Sequence, residues 1–189
     1  MHSHYLIHKP YGYLSQFVNN GPKQGKKKLL GELHDFPEGT MAIGRLDEPS
    51  EGLLLLTTDG MMSEMVRGKK VEKEYFAQVD GLVNQEAIRK MEEGVEIGFH
   101  GKKYVTKPCA VSIINDPKFP NRTQKIRDPK HGPTSWISIT LKEGKFRQVR
   151  KMTAAVGFPT LRLVRVRIGN YKMEKFTSGE VLPLKEIQV

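Results

Sequence analysis

A charged turn leads directly into the most apolar stretch of this chain, and together they read GRLDEPSEGLLLLT from Gly44 to Thr57. The four leucines Leu53–Leu56 predict a buried strand, because the Thr-Thr-Asp-Gly sequence that follows them is a typical stop signal. Proline and glycine mark the preceding segment as a turn. The stretch therefore places one guanidinium, from Arg45, and one carboxylate, from Asp47, at the end of a buried strand.

The bulk composition is that of a soluble globular protein with a sizeable core. The chain has 189 residues, of which 38% are hydrophobic and 28% are charged. We expect one domain over residues 1–189, with room for two subdomains that meet near residues 68–71. Four leucines are too few to span a membrane, and the first residues lack a signal-peptide pattern. The single cysteine, Cys109, fits a reducing compartment, so we expect a cytoplasmic protein.

Positive charge is concentrated in one part of the chain. The net charge is +10, but residues 118–167 contain thirteen Lys or Arg and two acids, so this segment alone carries +11 and the other 139 residues sum to −1. If the positive charge served only solubility, it would be expected to be spread along the whole chain and not gathered in one segment. The pattern favours a local footprint for a polyanion, above all nucleic acid. The alternative is a solvated basic face that has no partner.

The order of predicted elements indicates an α+β fold around a mixed or antiparallel central sheet with flanking helices. We predict strands at residues 4–8, 41–43, 52–57, 71–79, 104–114, 136–141 and 161–168, and helices at 60–66, 84–94 and 146–156. The strand at 161–168, LRLVRVRI, alternates apolar and basic residues. One of its faces is therefore predicted to join the core, and the other to present arginines.

The predicted helix at residues 146–156 separates apolar from basic side chains. Phe146 and Val149 share one face by three-residue spacing and are predicted to enter the core. Three basic residues lie on another face: Arg147, Arg150 and Lys151. Their spacing suits a phosphate or an acid. The simpler alternative is that they are solvated helix cations.

The common cofactor and metal motifs do not occur in the sequence. There is no phosphate loop and no dinucleotide fingerprint, so we expect no cofactor. The six histidines are scattered and the one cysteine has no partner, so we expect no metal site. His8 and His131 are interpreted as hydrogen-bonding residues, and nothing near Cys109 predicts an activated thiolate.

Two candidate residues, Asp47 and Tyr75, each have two interpretations. Asp47 can form an Asx-turn ahead of Pro49. It can instead be a nucleophilic carboxylate kept ionised by a cation, because an acid in a basic surface works against the binding of a polyanion and so suggests a role other than affinity. Tyr75 lies beside Phe76 in a predicted strand, where an aromatic residue is more often part of the core than catalytic.

Several segments, in the same order, resemble the motifs of the RsuA-type pseudouridine synthases. The stretch from Gly44 matches the catalytic motif of that family, which implies that Asp47 is the nucleophile. The Lys-Glu-Tyr that ends at Tyr75 matches the motif that supplies the active-site tyrosine. RQVRKM at residues 147–152 matches the motif whose second arginine, Arg150 here, pairs with the aspartate.

Two further motifs extend the resemblance to nearly the whole chain. KPYGYLS at residues 9–15 matches the first motif, with His8 where the family usually has an asparagine. Leu163 and Arg165, before Gly169, match the closing strand, whose leucine packs near the base. The chain starts almost at once with this domain, so we expect it to lack the N-terminal RNA-binding module that many relatives carry.

The resemblance implies an enzyme that isomerises a specific uridine of 23S ribosomal RNA to pseudouridine in an active-site cleft. The base is expected to be flipped out, with Arg45 filling its place and with Arg147 and Lys151 holding phosphates. No cofactor is implied, and we expect a monomer. Whether Asp47 adds to the ribose or removes its C2′ proton is left open.

Two other functional classes compete with this interpretation. A non-catalytic RNA-binding or ribosome-assembly protein explains the basic segment equally well but leaves Asp47 without a role. A glycosidase or nuclease needs a second well-placed carboxylate or a metal cluster. Glu48 and Glu51 are the nearby acids, and neither has convincing spacing.

Overall fold

The computed structural model describes residues 2–19, 27–68, 71–175 and 177–189, and it has the predicted α+β fold. The chain divides into two compact units: unit 1 is Met1–Val71 with Arg165–Val189, and unit 2 is Glu72–Val164. None of the helices in these described ranges is long and apolar enough to cross a membrane.

The strands are β1 (His4–Lys9), β2 (Tyr13–Leu14), β3 (Lys28–Leu29), β4 (Met41–Ala42), β5 (Ser50–Thr57), β6 (Lys73–Asp80), β7 (Glu96–Phe99), β8 (Lys102–Val105), β9 (Ala110–Ile114), β10 (Thr134–Leu141), β11 (Thr160–Ile168), β12 (Tyr171–Lys172) and β13 (Val181–Leu184). The α-helices are α1 (Gly60–Gly68), α2 (Gln85–Glu93) and α3 (Gln148–Ala155). Short 3-10 turns occur at Leu30–Glu32 and Pro129–His131.

Unit 1 is built on strands in the order β13-β1-β5-β11, with β4 also paired to β5 and β12 to β11. Strand β1 is antiparallel to both of its neighbours, and His8 lies opposite Leu53 of β5. The side chain of Asp59 begins helix α1 by accepting hydrogen bonds from the N–H groups of Met61 and Met62. This is the usual capping role of an aspartate at a helix start.

Strand β5 is buried along its whole length, which confirms the strand predicted from the leucine run. Leu53 and Leu55 belong to one hydrophobic cluster, and Leu54 and Leu56 belong to another. Because both faces of the strand are covered, its sequence is continuously apolar and does not alternate.

Gly52 allows β5 to approach β11 very closely. Its backbone has a φ of +108°, and a Cβ atom there would lie 2.3 Å from the carbonyl oxygen of Arg165. A side chain at this position would therefore both strain the backbone and collide with the neighbouring strand.

Unit 2 contains strands in the order β11-β6-β10-β9, and β10 is antiparallel to both β6 and β9. Tyr75 of β6 lies opposite Ile139 of β10. Strands β7 and β8 form a separate antiparallel hairpin. The core of the unit contains residues from β6, β10, α2 and α3, among them Val79, Ile139, Met91 and Met152.

The single strand predicted at residues 104–114 is wrong, because the segment forms β8 and β9 with a break between them. In the break, the N–H of Thr106 donates to the carbonyl of Val95, and the N–H of Cys109 donates to the carbonyl of Glu92. Pro108 has no N–H to donate to a ladder. The residues between β8 and β9 therefore form backbone hydrogen bonds with the end of α2 and with the turn that follows it, and not with a neighbouring strand.

The prediction that β11 presents its arginines on an open face is also wrong. Arg162 and Arg165 are only 3% and 5% exposed. The alternation changes phase at Leu163-Val164, so each face of the strand carries both apolar and basic residues. Burial is tolerated because the Arg165 Nε donates to the carbonyl of Leu53 at 2.7 Å, while the Arg162 guanidinium lies over the Phe119 ring at 5.6 Å.

The third correction concerns the start of α3 and the side chain of Phe146. The helix begins at Gln148, and Arg147 before it has a left-handed backbone with a φ of 52°. Phe146 therefore lies in a turn and is 62% exposed, whereas the sequence predicted a core position. Val149 does enter the core, as predicted, and Met152 lies beside it there.

Candidate functional site

The turn that carries Asp47 is fixed by hydrogen bonds on both sides of that residue. The Ser15 hydroxyl donates to the carbonyl of Leu46 at 2.7 Å and accepts from its N–H at 2.9 Å. The Ser50 N–H donates to the carbonyl of Asp47 at 2.9 Å and closes the turn. Leu46 is buried, Asp47 is half-buried, and Arg45 is exposed. The turn thus holds its backbone rigidly and directs Arg45 outward.

Lys9 connects the first motif to the same turn. Its side chain is fully buried, and Nζ donates to the carbonyls of Pro10 at 2.9 Å, Tyr13 at 2.7 Å and Glu48 at 3.3 Å. The Gly12 N–H donates to the same Glu48 carbonyl at 2.9 Å. One buried amine therefore ties together the end of β1, the turn after it and the residue next to Asp47.

Burial lowers the pKa of Lys9 from 10.5 to about 7. The negative charges of Glu51, Asp47 and Glu48 act in the opposite direction, and the positive charge of Arg165 lowers the pKa further. Lys9 was not singled out from the sequence as a site residue. One feature of the sequence could have identified it: Lys9 directly follows the predicted strand at residues 4–8 and directly precedes the turn at Pro10.

The two acids beside Asp47 have separate surroundings. Glu48 forms a partly exposed ion pair with Lys27, in which Nζ and Oε1 are 2.8 Å apart. Glu51 is buried within β5. The structure thus places Glu48 in an ion pair and Glu51 in the interior, as part of the field that acts on Lys9.

Tyr75, Arg150 and Leu163 all belong to unit 2. Tyr75 is half-buried and packs against the hydrophobic core of that unit, to which Leu163 itself belongs. Arg150 is half-buried on α3, directly after the core residue Val149. The pairing of Asp47 with Arg150 involves one residue from each unit and stays a prediction.

The two other predicted phosphate ligands near α3 differ in their surroundings. Arg147 is exposed at the residue before the helix. The Lys151 Nζ donates to the carbonyl of Gly98 at 2.7 Å and lies 5.2 Å from the centre of the Phe146 ring. Lys151 is thus already held by neighbouring groups, and Arg147 is the more exposed of the two.

A partly buried hydrogen-bond network fixes the turn that precedes α3. Glu143 accepts from the Tyr104 hydroxyl at 2.5 Å, from the Lys107 N–H at 2.8 Å and from the Gln148 amide at 2.7 Å. Burial by itself raises the pKa of Glu143, but these three hydrogen bonds outweigh it and hold the pKa below its usual value. The hydrogen bond to Glu143 in turn raises the pKa of Tyr104.

The basic connection between β9 and β10, residues 115–133, is anchored at two points. Phe119 stacks on Phe76 at 6.2 Å and meets Trp136 edge-on at 5.7 Å. Arg127 forms an ion pair with Asp80 at 2.7 Å and also donates to the carbonyls of Gly132 and Pro133. Three lysines of this connection are exposed: Lys118, Lys125 and Lys130.

Cys109 has the surroundings of an inert thiol. Burial raises its pKa to about 11, with smaller contributions from Glu92 and Glu143. Its Sγ donates to the carbonyl of Met91 at 3.3 Å. Cys109 is therefore protonated at neutral pH, in agreement with the sequence-based expectation. Within residues 2–19, 27–68, 71–175 and 177–189, no three His, Cys, Asp or Glu side chains are grouped as metal ligands would be.

Comparisons with known proteins agree with this arrangement of motifs. A family model described as RNA pseudouridylate synthase matches residues 3–155. Ribosomal large subunit pseudouridine synthase E of Vibrio parahaemolyticus is 39% identical over 188 residues, which cover 97% of this chain and 73% of that protein. The protein of the same name from Xanthomonas axonopodis is 40% identical over 172 residues, which cover 89% and 87%.

A solved structure shows the same fold. The crystal structure of a pseudouridylate synthase superimposes with a TM-score of 0.76 and 26% sequence identity, covering 98% of this chain and 71% of that one. The family model, the two relatives and the solved structure therefore all relate this chain to the same group of proteins.

Proposed function

The chain belongs to the RNA pseudouridylate synthase family, and from that membership we propose that it isomerises a specific uridine of 23S ribosomal RNA, with Asp47 as the nucleophile. The family match over residues 3–155 includes Asp47, Tyr75 and Arg150, and it is the observation that carries the proposal. The names of the relatives from Vibrio and Xanthomonas support the large ribosomal subunit as the source of the substrate.

The reaction is an isomerisation, so no atom or electron enters or leaves overall. The bond between ribose C1′ and uracil N1 breaks, the uracil turns, and C1′ forms a bond to C5. The proton on C5 is then lost, and N1 gains one. Because nothing is oxidised or transferred to a second molecule, the proposed chemistry needs no cofactor. We also propose a cytoplasmic monomer.

The role of Asp47 follows from the charge that develops on the ribose. Cleavage of the C1′–N1 bond gives C1′ positive character, which an ionised carboxylate can stabilise or capture covalently. A second route, in which Asp47 removes the C2′ proton to give a glycal, is chemically equivalent in its overall balance. Both routes need the carboxylate to be ionised and held still, and the bonds from Ser15 and Lys9 to the turn support the second requirement.

Arg150 and Tyr75 are proposed as the other catalytic residues. The guanidinium of Arg150 keeps its charge at every physiological pH, so it can hold Asp47 ionised. Tyr75 can stack on the detached uracil and take part in removing the C5 proton. Both residues are half-buried; Tyr75 packs against the core of unit 2, and Arg150 directly follows the core residue Val149, which suits groups that must hold their positions.

The exposed cations are proposed to position the RNA. The target uridine must leave its stack, which costs a few kcal/mol. Arg45 is exposed beside Asp47 and can stack in the vacated place. Arg147, Lys151 and the lysines of residues 115–133 supply charges for phosphates. Leu163 is proposed to pack near the base, and the buried Arg165, which donates to the carbonyl of Leu53, is proposed to hold β5 in place beside the Asp47 turn.

Pseudouridine mapping in ribosomal RNA tests this function. Ribosomal RNA from cells that lack the protein is incubated with and without it, treated with carbodiimide and read by primer extension. We expect one new stop in 23S RNA that depends on the protein. Tight RNA binding without any new stop would favour the non-catalytic RNA-binding class, and strand breaks would favour a nuclease.

A further inference from the structure

Phe146 exposes a large aromatic ring directly before the RQVRKM motif of residues 147–152. Its exposed fraction is 62%, and its helix-like spacing from Val149 had predicted burial. A phenylalanine in water loses the free energy that burial of its ring would provide. The position therefore has no packing explanation, and the turn around it holds the ring outward.

One buried side chain fixes both ends of this turn. The Gln148 Oε1 accepts from the Lys145 N–H at 3.0 Å, and the Gln148 Nε2 donates to Glu143 at 2.7 Å. Gln148 itself is 4% exposed. Phe146 thus lies between two anchored residues, so its exposure is a feature of an ordered turn.

One cation lies over the exposed ring, and a second is the next residue in the sequence. The Lys151 ammonium lies 5.2 Å from the ring centre and is held there by its bond to the carbonyl of Gly98. Arg147 follows directly and is exposed. An ordered aromatic ring flanked by cations is the combination with which proteins bind unpaired bases, because the ring stacks on the base and the cations meet the adjacent phosphates.

We propose that Phe146 is a stacking platform for an unpaired base of the RNA substrate, with Arg147 and Lys151 contacting the phosphates on either side of it. The identity of the RNA rests on the proposed function, whereas the stacking contact stands on the geometry of this turn. Phe146 is in this view a positioning residue that raises affinity for single-stranded RNA.

Leu82 is a matched control for a merely exposed apolar residue. It is 67% exposed and lies in unit 2, in the connection between β6 and α2. Its sequence neighbours, Asp80-Gly81 and Val83-Asn84, include no cation. Replacement of Leu82 by alanine should therefore remove exposed apolar surface without removing a ring on which a base could stack.

The test uses fluorescein-labelled single-stranded RNA of about twelve nucleotides, within the usual site size. The same RNA in a duplex serves as a second probe. We expect Phe146→Ala to weaken single-strand binding about 5- to 100-fold. Phe146→Leu should lose as much, Phe146→Trp should bind like the original protein, and Leu82→Ala should change nothing. Duplex binding should be the same for all four variants, because a paired base offers no free face.

Two further readouts separate stacking from a structural role. The chain has one tryptophan, Trp136, which is 7% exposed, so a second one at position 146 should show fluorescence quenching that RNA induces. In conversion assays, Phe146→Ala should raise KM and leave kcat nearly unchanged. Undiminished binding by Phe146→Ala, or by Phe146→Leu, would overturn the stacking proposal. Absence of any conversion by the original protein, with the binding differences intact, would instead refute the proposed function alone.

Discussion

At the scale of single residues, the least expected feature is a fully buried lysine beside the proposed nucleophile. Lys9 makes three hydrogen bonds to carbonyls, and burial lowers its pKa to about 7. The amine fixes the backbone of Glu48, and therefore the turn of Asp47. The sequence pointed to the acid of this turn and not to the residue that holds it.

The lowered pKa of Lys9 predicts a pH dependence of stability. Between about pH 7 and 10.5 the unfolded chain keeps a proton on Lys9 that the folded protein has lost, so the free energy of unfolding rises with pH through this window. Within this window the free energy of unfolding should increase by up to about 1.4 kcal/mol per pH unit. Urea unfolding of the original protein and of Lys9→Met at several pH values measures the difference between them. A constant difference from pH 6 to 10 would mean that Lys9 stays charged in the folded state.

At the scale of elements, the sequence predicted correctly those strands and helices whose backbone is determined by neighbouring residues. Strand β5 could be predicted from its own leucines and from the turn residues on either side of it. Residues 104–114 and 146–147 were assigned wrongly, because remote carbonyls and the Gln148 side chain decide their backbone. Neither of these partners is visible in a periodic pattern.

The turn before α3 predicts that two substitutions of Arg147 differ in stability but have the same effect on RNA binding. Arg147 has a φ of 52°, which glycine tolerates and other residues adopt at a cost. Arg147→Gly should therefore be more stable than Arg147→Ala by about 1 kcal/mol. Both variants should reduce the salt slope of RNA binding by about one phosphate, because the same charge is lost. Equal stabilities would contradict the strain, and unchanged slopes would contradict the phosphate contact.

At the scale of the whole molecule, most of the positive charge and the proposed nucleophile come from different parts of the chain. The segment with a net charge of +11, residues 118–167, supplies most of unit 2's cations, whereas Asp47 belongs to unit 1. Composition predicted the nucleic-acid partner, since charge alone carries that information. It carries no information on the proposed grouping of Asp47 with Tyr75 and Arg150, which are 28 and 103 positions further along the chain. That grouping is implied by the family motifs and stays a prediction.

Asp47 is proposed to act in the chemistry of uridine isomerisation and not in RNA binding. Release of tritium from C5-labelled uridine in 23S RNA measures it, with Asp47→Asn compared with Glu48→Gln, a neighbouring variant that loses the same charge. We expect Asp47→Asn to lower the rate of release at least about a thousandfold. Its RNA affinity should stay within a few-fold of the original, and Glu48→Gln should retain most of the activity. Substantial release by Asp47→Asn, or an equal loss in both variants, would contradict the account.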